Sequence, residues 1–237
     1  MTKGLAAAAV LAVAGLALAL AGCRPSSTET RFPKAGRDVA PVVSDSFSTE
    51  DARDRLGEAE QVIAFAGVAA GMSVADVGAG EGYYTVRLSP VVGAKGRVLA
   101  EDIDAGTRDG LSERVARDAL DNVAVKLGTP ADPMLPKASF DRIFLVHMYH
   151  EVRDPYAFLW HLADGLKLGG EVILVDSDRP VKNHGISPKR VACEFAALGL
   201  KPTRLERLEG GDVYAAAFVR TATRPMPEQI VPCASMR

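Results

Sequence analysis

Short apolar runs alternate with amphipathic segments over residues 48–221. An uninterrupted apolar run favours a strand covered on both faces, whereas apolar residues three or four positions apart favour a helix. Alternating strands and helices indicate an α/β fold with right-handed crossovers, and Gly210-Gly211 between the last two runs predicts an antiparallel hairpin. The pattern therefore predicts a doubly wound, seven-stranded, mostly parallel sheet with strands at 72–77, 97–101, 123–127, 141–147, 171–176, 203–208 and 213–219.

Capping residues predict where the helices begin, because an oxygen-bearing side chain, often followed by proline, is a common helix start. On the first helix, Glu58 and Glu60 are expected on the solvated face, opposite an apolar stripe that includes Ala59 and Ile63. A polar helix is also expected over 104–120. The capped starts are Ser48 with Asp51, Asp154-Pro155 and Ser187-Pro188.

The first 22 residues read as an export signal. Lys3 supplies a positive charge, residues 5–21 carry none, and Leu20-Ala21-Gly22-Cys23 resembles the bacterial lipobox, in which the cysteine is lipidated. We therefore expect an exported lipoprotein that faces the periplasm and is anchored to the membrane through Cys23. The alternative is an uncleaved inner-membrane anchor, although the run is at the short end of a bilayer span.

Composition sets the remaining boundaries. Prolines without periodicity predict a flexible tether at 23–47 and a loosely ordered tail at 222–237, which leaves the domain at 48–221.

A net charge of −2 gives no electrostatic case for nucleic acid as a partner. Three cysteines at unrelated spacings predict neither a zinc site nor a disulfide scaffold. Pairing of Cys193 with Cys233 and the oligomeric state stay open.

A glycine turn follows the first predicted strand, in the stretch Asp76-Val77-Gly78-Ala79-Gly80-Glu81-Gly82. Glycines there allow positive φ and a close approach of the backbone to a ligand, and the next helix points its first N–H groups at the turn. Asp102 ends the next strand about 24 residues after Gly78, a spacing that suits a carboxylate bound to ribose hydroxyls. Tyr83 stands where a dinucleotide fingerprint has its third glycine, so we expect a nucleoside without a pyrophosphate.

These motifs resemble those of the class I S-adenosylmethionine-dependent methyltransferases. The segment 76–82 resembles their motif I, 96–104 their second strand with its ribose-binding acid, and 139–152 their fourth strand and the following loop. The resemblance implies the class I methyltransferase fold, S-adenosyl-L-methionine as cofactor and a small-molecule acceptor. It places the cofactor on Asp76, Gly78, Ala79, Gly80, Gly82, Asp102, Ile103, Thr129, Asp132 and His147.

The adenine loop departs from the family pattern. Many relatives have a Gly-Asp-Ala step after the third strand, where this chain has Gly128-Thr129-Pro130. Thr129 can still accept a hydrogen bond, but Pro130 has no N–H to donate. Asp132 is expected to substitute, and a weakened or rearranged adenine site is favoured over none.

Methyl transfer mainly requires that two partners be positioned and desolvated, and a base is needed only when the acceptor must lose a proton. The candidates for catalysis are His150, Tyr149 and His184, which lie in loops at the carboxyl ends of the strands. A structural role for His150, shaping its loop, stands beside this interpretation. Tyr83 and Tyr84 either cover the ligand or pack on the sheet.

Four alternatives remain. The fold could serve a non-catalytic periplasmic lipoprotein with a nucleoside-like pocket, or bind another nucleotide. An exported hydrolase lacks the Gly-x-Ser-x-Gly elbow. A metal bound by His147, His150, His184 and Asp176 has no supporting spacing, so no metal site is predicted.

Overall fold

The computed structural model describes residues 32–42, 49–209, 211–221 and 224–233. The predicted leader, Cys23, Ser48 and Gly210 lie outside these ranges. Within them, no helix has the length and apolar character that a membrane span requires.

One seven-stranded sheet organises the fold. Its strands are β1 (Ser73–Val77), β2 (Arg97–Asp102), β3 (Val123–Leu127), β4 (Phe140–Val146), β5 (Leu166–Ser177), β6 (Leu200–Arg207) and β7 (Val213–Arg220). They lie in the order β3-β2-β1-β4-β5-β7-β6. β1 to β5 pair in parallel, whereas β7 pairs antiparallel with both β5 and β6. The predicted fold class, including the antiparallel end hairpin, is confirmed.

Helices cover both faces of this sheet, because successive strand residues point to opposite faces and both sets are apolar. Val74 packs in a buried cluster with Val62 and Leu88, and its neighbour Ala75 packs in a second cluster with Phe158 and Val191. Each fully buried aliphatic side chain stabilises the fold by roughly 1.5–3 kcal/mol. The helices are α1 (Glu50–Arg55), α2 (Glu58–Ala66), α3 (Tyr83–Val92), α4 (Ala105–Arg117), α5 (Pro155–Leu162) and α6 (Pro188–Ala196).

The first predicted helix is two helices. Gly57 adopts φ +60°, a left-handed conformation that interrupts the helical path between α1 and α2. The N-cap of α1 is Thr49, whose side chain accepts the N–H of Ala52, so the predicted capping residue was one position early. We call α1 and α2, with the intervening turn, the helical cover.

β5 begins earlier than predicted. The predicted strand starts at residue 171, but α5 ends at Leu162, Leu166 already pairs with Phe140, and Gly169-Gly170 lies within the strand. A register shift between Phe140 and Arg142 accommodates the glycine pair within the strand.

Residues 32–42, predicted as flexible tether, lie on the domain, and we call them the N-terminal strap. Arg37 donates to the carboxylate of Glu194 at 2.9 Å and to the backbone oxygens of Tyr149 and Val152 at 3.3 Å. The N–H of Ala40 donates to the oxygen of His150 at 3.1 Å. The expectation of a tether without structure is therefore wrong for these residues. The sequence could not reveal this packing, because an extended segment held by contacts with distant residues shows no hydrophobic periodicity.

The described part of the tail also packs on the domain. Cys233 forms a disulfide with Cys193 of α6, and its N–H donates to the hydroxyl of Tyr156 at 2.7 Å. The guanidinium of Arg224 stacks on Trp160, 3.8 Å from the ring centroid. Residues 224–233 are therefore held by a covalent bond and side-chain contacts, contrary to the expectation of a loosely ordered tail.

Candidate active site

The glycine turn between β1 and α3 has the backbone conformation that the sequence predicts. Gly78, Gly80 and Gly82 adopt φ of +69°, +56° and +89°. A Cβ on Gly82 would meet Cδ1 of Leu111 at 2.3 Å, so any other residue would have to displace that buried side chain in addition to adopting a positive φ. The turn is tied to the next strand, because the N–H of Ala79 donates to the oxygen of Glu101 at 2.9 Å.

Asp102 stands at the end of β2 directly beside this turn. Its Oδ2 accepts the N–H of Gly80 and its Oδ1 accepts the N–H of Asp104, both at 3.0 Å. These two bonds orient the carboxylate along the crevice edge, where Ile103 is exposed. Asp102 therefore lies on the cavity wall beside the glycine turn, and its role in holding a ribose stays a prediction.

Asp76 is buried beneath the turn. Its Oδ2 accepts the hydroxyl of Thr85 at 2.6 Å, which links β1 to the first turn of α3. Burial raises the pKa of Asp76 to about 6, and the nearby Asp102 charge acts in the same direction.

A cavity of about 1030 Å³ opens at the carboxyl ends of β1, β2 and β4. This volume is at the upper end of the range for ligand sites, about 300–1,000 Å³, which leaves room for a cofactor and an acceptor. Its wall contains the following predicted site residues: Asp76, Gly78, Ala79, Gly80, Asp102, Ile103, His147, His150 and His184.

The helical cover closes one side of this cavity through Glu58, which the sequence interpretation wrongly placed on a solvated face. The Glu58 carboxylate accepts bonds from Arg53 at 2.6 Å and from the hydroxyl of Tyr84 at 3.0 Å, and lies 3.4 Å from Nε2 of His147. Burial alone would raise the pKa of Glu58, but His147 and Arg53 lower it to about 2. No local signal marked the burial of Glu58, since two of its three partners, Tyr84 and His147, come from other segments.

His150 lies at the far end of the cavity in a buried pair with Asp176 of β5. Nδ1 of His150 is 3.0 Å from both oxygens of the Asp176 carboxylate. A carboxylate can only accept, so Nδ1 carries the proton and Nε2 is the nitrogen available on the cavity side. The arrangement orients an imidazole that can take a proton or bind a metal ion.

Tyr149 does not line the cavity, contrary to its prediction as a catalytic candidate. Its ring belongs to the cluster with Phe195, and its hydroxyl donates to Glu194 at 2.8 Å. Burial raises its pKa far above the usual range. The short helical turn Tyr149–Glu151 directs the side chain of Tyr149 into the core and that of His150 toward the cavity. Sequence spacing alone does not show this difference.

The adenine loop also differs from expectation. Thr129 and Asp132 form a closed turn, with the N–H of each donating to the backbone oxygen of the other at 2.9 and 3.2 Å. Asp132 accepts from the N–H of Met134 and lies 3.6 Å from His161. Of this loop only Pro130 reaches the cavity wall, so the structure does not bring Thr129 or Asp132 to the cofactor crevice.

Glu101 is a wall residue that the sequence analysis missed. Its side chain is 1% exposed, its Oε1 has no hydrogen-bond partner in the structure, and a Cβ at Gly128 would lie 1.8 Å from that oxygen. Burial and the Asp102 charge raise the pKa of Glu101 to about 8, so the group is largely neutral near pH 7. An acidic residue immediately before the ribose acid was the only available signal.

Comparison with known proteins agrees with this geometry. Residues 57–184 match the family model of protein-L-isoaspartate(D-aspartate) O-methyltransferase (PCMT). The chain belongs to this methyltransferase family. The matched range contains the glycine turn, Asp102 and the His150–Asp176 pair, and the predicted enzyme class is confirmed at the level of the family.

A solved S-adenosylmethionine-dependent methyltransferase from Aquifex aeolicus superimposes on this methyltransferase with a TM-score of 0.65 at 28% identity, covering 70% of this chain and 91% of that one. The predicted cofactor is therefore that of its structural relatives.

Two curated relatives are ubiquinone/menaquinone biosynthesis C-methyltransferases UbiE. Those of Hahella chejuensis and Idiomarina loihiensis are 28% and 31% identical over 165 and 164 residues, in each case 69% of this chain. The alignments span only 64% and 63% of the relatives' own lengths.

Proposed function

We propose that this protein transfers the methyl group of S-adenosylmethionine to a small-molecule acceptor whose nucleophilic atom must lose a proton. The observation that carries the proposal is one continuous cavity of about 1030 Å³. It joins the glycine turn and Asp102 at one end to His150, oriented by Asp176, at the other.

The residues present fit the cofactor. The glycine turn offers backbone N–H groups at the start of α3, and the Asp102 carboxylate has lone pairs left for ribose hydroxyls. When bound, S-adenosylmethionine supplies a methyl group activated on a sulfonium. The missing adenine contacts at Thr129 and Asp132 favour an adenine held by apolar contact with Ile103 and Pro130, both on the cavity wall.

The chain's own contribution to the reaction is to orient the acceptor, hold its proton and exclude water. Nε2 of His150 can accept the acceptor proton, and the Asp176 carboxylate stabilises the imidazolium that forms. Arg53, Glu58 and Tyr84 connect the helical cover to the wall, and a covered site strengthens every electrostatic interaction inside it.

Calorimetric titration tests the proposal. Full-length protein is titrated with S-adenosylmethionine and S-adenosylhomocysteine, alongside Asp102→Ala and the matched surface variant Asp109→Ala. We expect micromolar binding that weakens at least tenfold in Asp102→Ala, since ionised acceptors contribute about 1.5–3 kcal/mol, and that is unchanged in Asp109→Ala. An absence of heat with both ligands would refute the proposal and favour a non-catalytic lipoprotein.

The full chain matters in this experiment. A shortened protein beginning after Phe47 would lack the N-terminal strap, whose Arg37 and Ala40 bond the loop that carries His150. Loss of activity in such a protein would report a lost strap and not a lost cofactor site.

We also propose that the protein is exported and anchored through a lipid on Cys23, facing the periplasm. The lipobox-like leader motivates this, and the Cys193–Cys233 disulfide supports it, because structural disulfides persist in oxidising compartments. Labelling cells with a palmitate analogue should mark the native protein and leave Cys23→Ser unmarked. Equal labelling of both would disprove the anchor.

Export and methyl transfer together require the cofactor outside the cytoplasm. Measuring S-adenosylmethionine in a periplasmic extract addresses this directly. Micromolar cofactor there is expected, whereas its absence, with the protein confirmed as exported, favours the non-catalytic alternative.

A further inference from the structure

We propose that His150, Glu151 and His184 form a binding site for a divalent transition metal ion, with Zn²⁺ the first ion to test. One donor atom from each of these side chains lies within 4.8 Å of the other two. All three residues line the cavity, at the end away from the glycine turn and Asp102.

The donor separations are close to those of a metal site. Oε1 of Glu151 is 3.9 Å from Nε2 of His150 and 3.8 Å from Nδ1 of His184. Zinc–ligand bonds of about 2.1 Å at tetrahedral angles require separations of about 3.4 Å. The two Glu151 separations would have to close by about half an ångström, and the separation of the two histidine nitrogens, which is within 4.8 Å, by at most about 1.4 Å. Side-chain rotation can supply such shifts, and the two imidazole rings are nearly perpendicular with centroids 5.5 Å apart.

Asp176 completes the arrangement behind the donors. It is fully buried and bonds Nδ1 of His150, which leaves Nε2 as the donor nitrogen. A carboxylate that accepts the second N–H of a histidine is the usual outer partner of a metal ligand, and it raises the basicity of that ligand. The two carboxylates of Glu151 and Asp176 together balance a dication.

The backbone conformation at His184 and the hydrogen bonds that hold the loop of His150 bring the donor side chains together. His184 adopts φ +53°, a conformation unusual for a residue other than glycine, and Gly185 beside it packs where a Cβ would lie 2.5 Å from the oxygen of Ser177. The loop of His150 is fixed by the N-terminal strap. His147, which the sequence had grouped with these residues, bonds Glu58 and is not part of the site.

Two imidazoles and one carboxylate are the ligand set of catalytic zinc sites with an open coordination position. In this protein the open position would face the cavity. As far as its role rests on the proposed function, an acceptor oxygen bound there would release its proton to solvent more readily, because metal coordination lowers its pKa. With the ion bound, Nε2 of His150 is a ligand and no longer the base, so the metal takes over the activation of the acceptor that metal-free protein would leave to His150. Metal binding itself does not require that function.

The test measures zinc stoichiometry and affinity in the full-length chain carrying Cys23→Ser, which removes a thiol that could bind zinc. The protein is stripped with a chelator and titrated with Zn²⁺ against a chromophoric competitor. Glu151→Gln, His184→Ala and Asp176→Asn are compared with His161→Ala, a histidine outside the cluster. Far-UV circular dichroism checks that each variant is folded. If His184→Ala does not fold, the comparison of native protein with Glu151→Gln decides the test.

We expect one zinc per chain at micromolar or tighter affinity, at least tenfold weaker binding in the three cluster variants, and none of that loss in His161→Ala. X-ray absorption should show two imidazoles and oxygen around the ion. Substoichiometric zinc, or equal affinity in native protein and Glu151→Gln, overturns the inference.

Titration of the same protein with S-adenosylmethionine separates this inference from the proposed function. Cofactor binding without zinc binding overturns only the metal site. Zinc binding without cofactor binding supports the metal site and overturns only the proposed function.

Discussion

Nδ1 of His150 lies 3.0 Å from each oxygen of the Asp176 carboxylate, and both side chains are buried. His150 follows β4 and Asp176 lies near the end of β5, and the parallel pairing of these strands brings the residues together. The pair lies between the hydrophobic core and the cavity. Packing in the core fixes its position, and Nε2 of His150 faces the cavity.

The first prediction concerns the proton on His150. In metal-free protein at neutral pH we expect the Nδ1–H tautomer, because the carboxylate can only accept a hydrogen bond. Long-range nitrogen–proton correlation NMR on histidine-labelled protein measures this. Asp176→Asn should shift the His150 nitrogen signals and leave those of His161 unchanged, and an Nε2–H tautomer in the native protein would contradict the geometry.

The second prediction concerns the N-terminal strap. Arg37→Ala should lower the free energy of unfolding by about 3–5 kcal/mol, because it leaves the fully buried Glu194 without its cation. Urea unfolding measures the loss. Lys34→Ala is the control, since the Lys34–Asp154 pair is solvent-exposed and its removal should change stability by less than about 0.5 kcal/mol. Similar small effects from both variants would mean that the strap does not stabilise the domain.

The third prediction concerns Glu58 and acid. The pKa of Glu58 in the folded protein, about 2, lies below the ordinary 4.5. Its contribution to the free energy of unfolding is therefore fully present above pH 4.5 and is lost as the pH falls toward 2. Glu58→Gln should be less stable than native protein at pH 7 by on the order of 3 kcal/mol, with the difference shrinking below pH 4.5. Unfolding at a series of pH values tests this, with the exposed Glu60→Gln as a variant expected to track the native curve.

The fourth prediction concerns Glu101 at alkaline pH. Here the stability changes with pH in the direction opposite to that expected for Glu58. The folded pKa of about 8 exceeds the ordinary 4.5, so stability is full below pH 4.5 and declines as the pH rises through 8. Glu101→Gln cannot ionise and should exceed the native stability at pH 9 by on the order of 5 kcal/mol. The gain is read from thermal unfolding between pH 5 and 9, and exposed Glu113→Gln should show none. A constant difference across that range would rule out ionisation of Glu101 as the cause.

Much of the fold was predictable because it follows from local pattern. β4 and β5 contain uninterrupted apolar runs at 143–146 and 172–175, and the glycine turn is marked by three glycines, the residue type that adopts positive φ without strain. Asp102 could be assigned because its place at a strand end is set by spacing along the chain. These features depend on neighbours in sequence, so the sequence displays them.

The residues that were missed take their roles from distant segments. Glu58 meets His147 and Tyr84 only after the helical cover folds over β4 and α3, and Arg37 meets Glu194 only when the strap crosses the domain. Thr129 and Asp132 were assigned to the cofactor by position, but they satisfy each other's backbone groups in a turn of their own.

The amino-acid sequence by itself determined the α/β architecture, the glycine turn and the acid at the end of β2, because periodicity and glycine content act over a few residues. Only the tertiary structure decided which of Tyr149, His150 and Glu151 reaches the cavity and that His184 joins two of them. Side-chain direction in irregular loops depends on packing against other elements, and Glu194 draws Tyr149 into the core while Asp176 turns His150 toward the ligand.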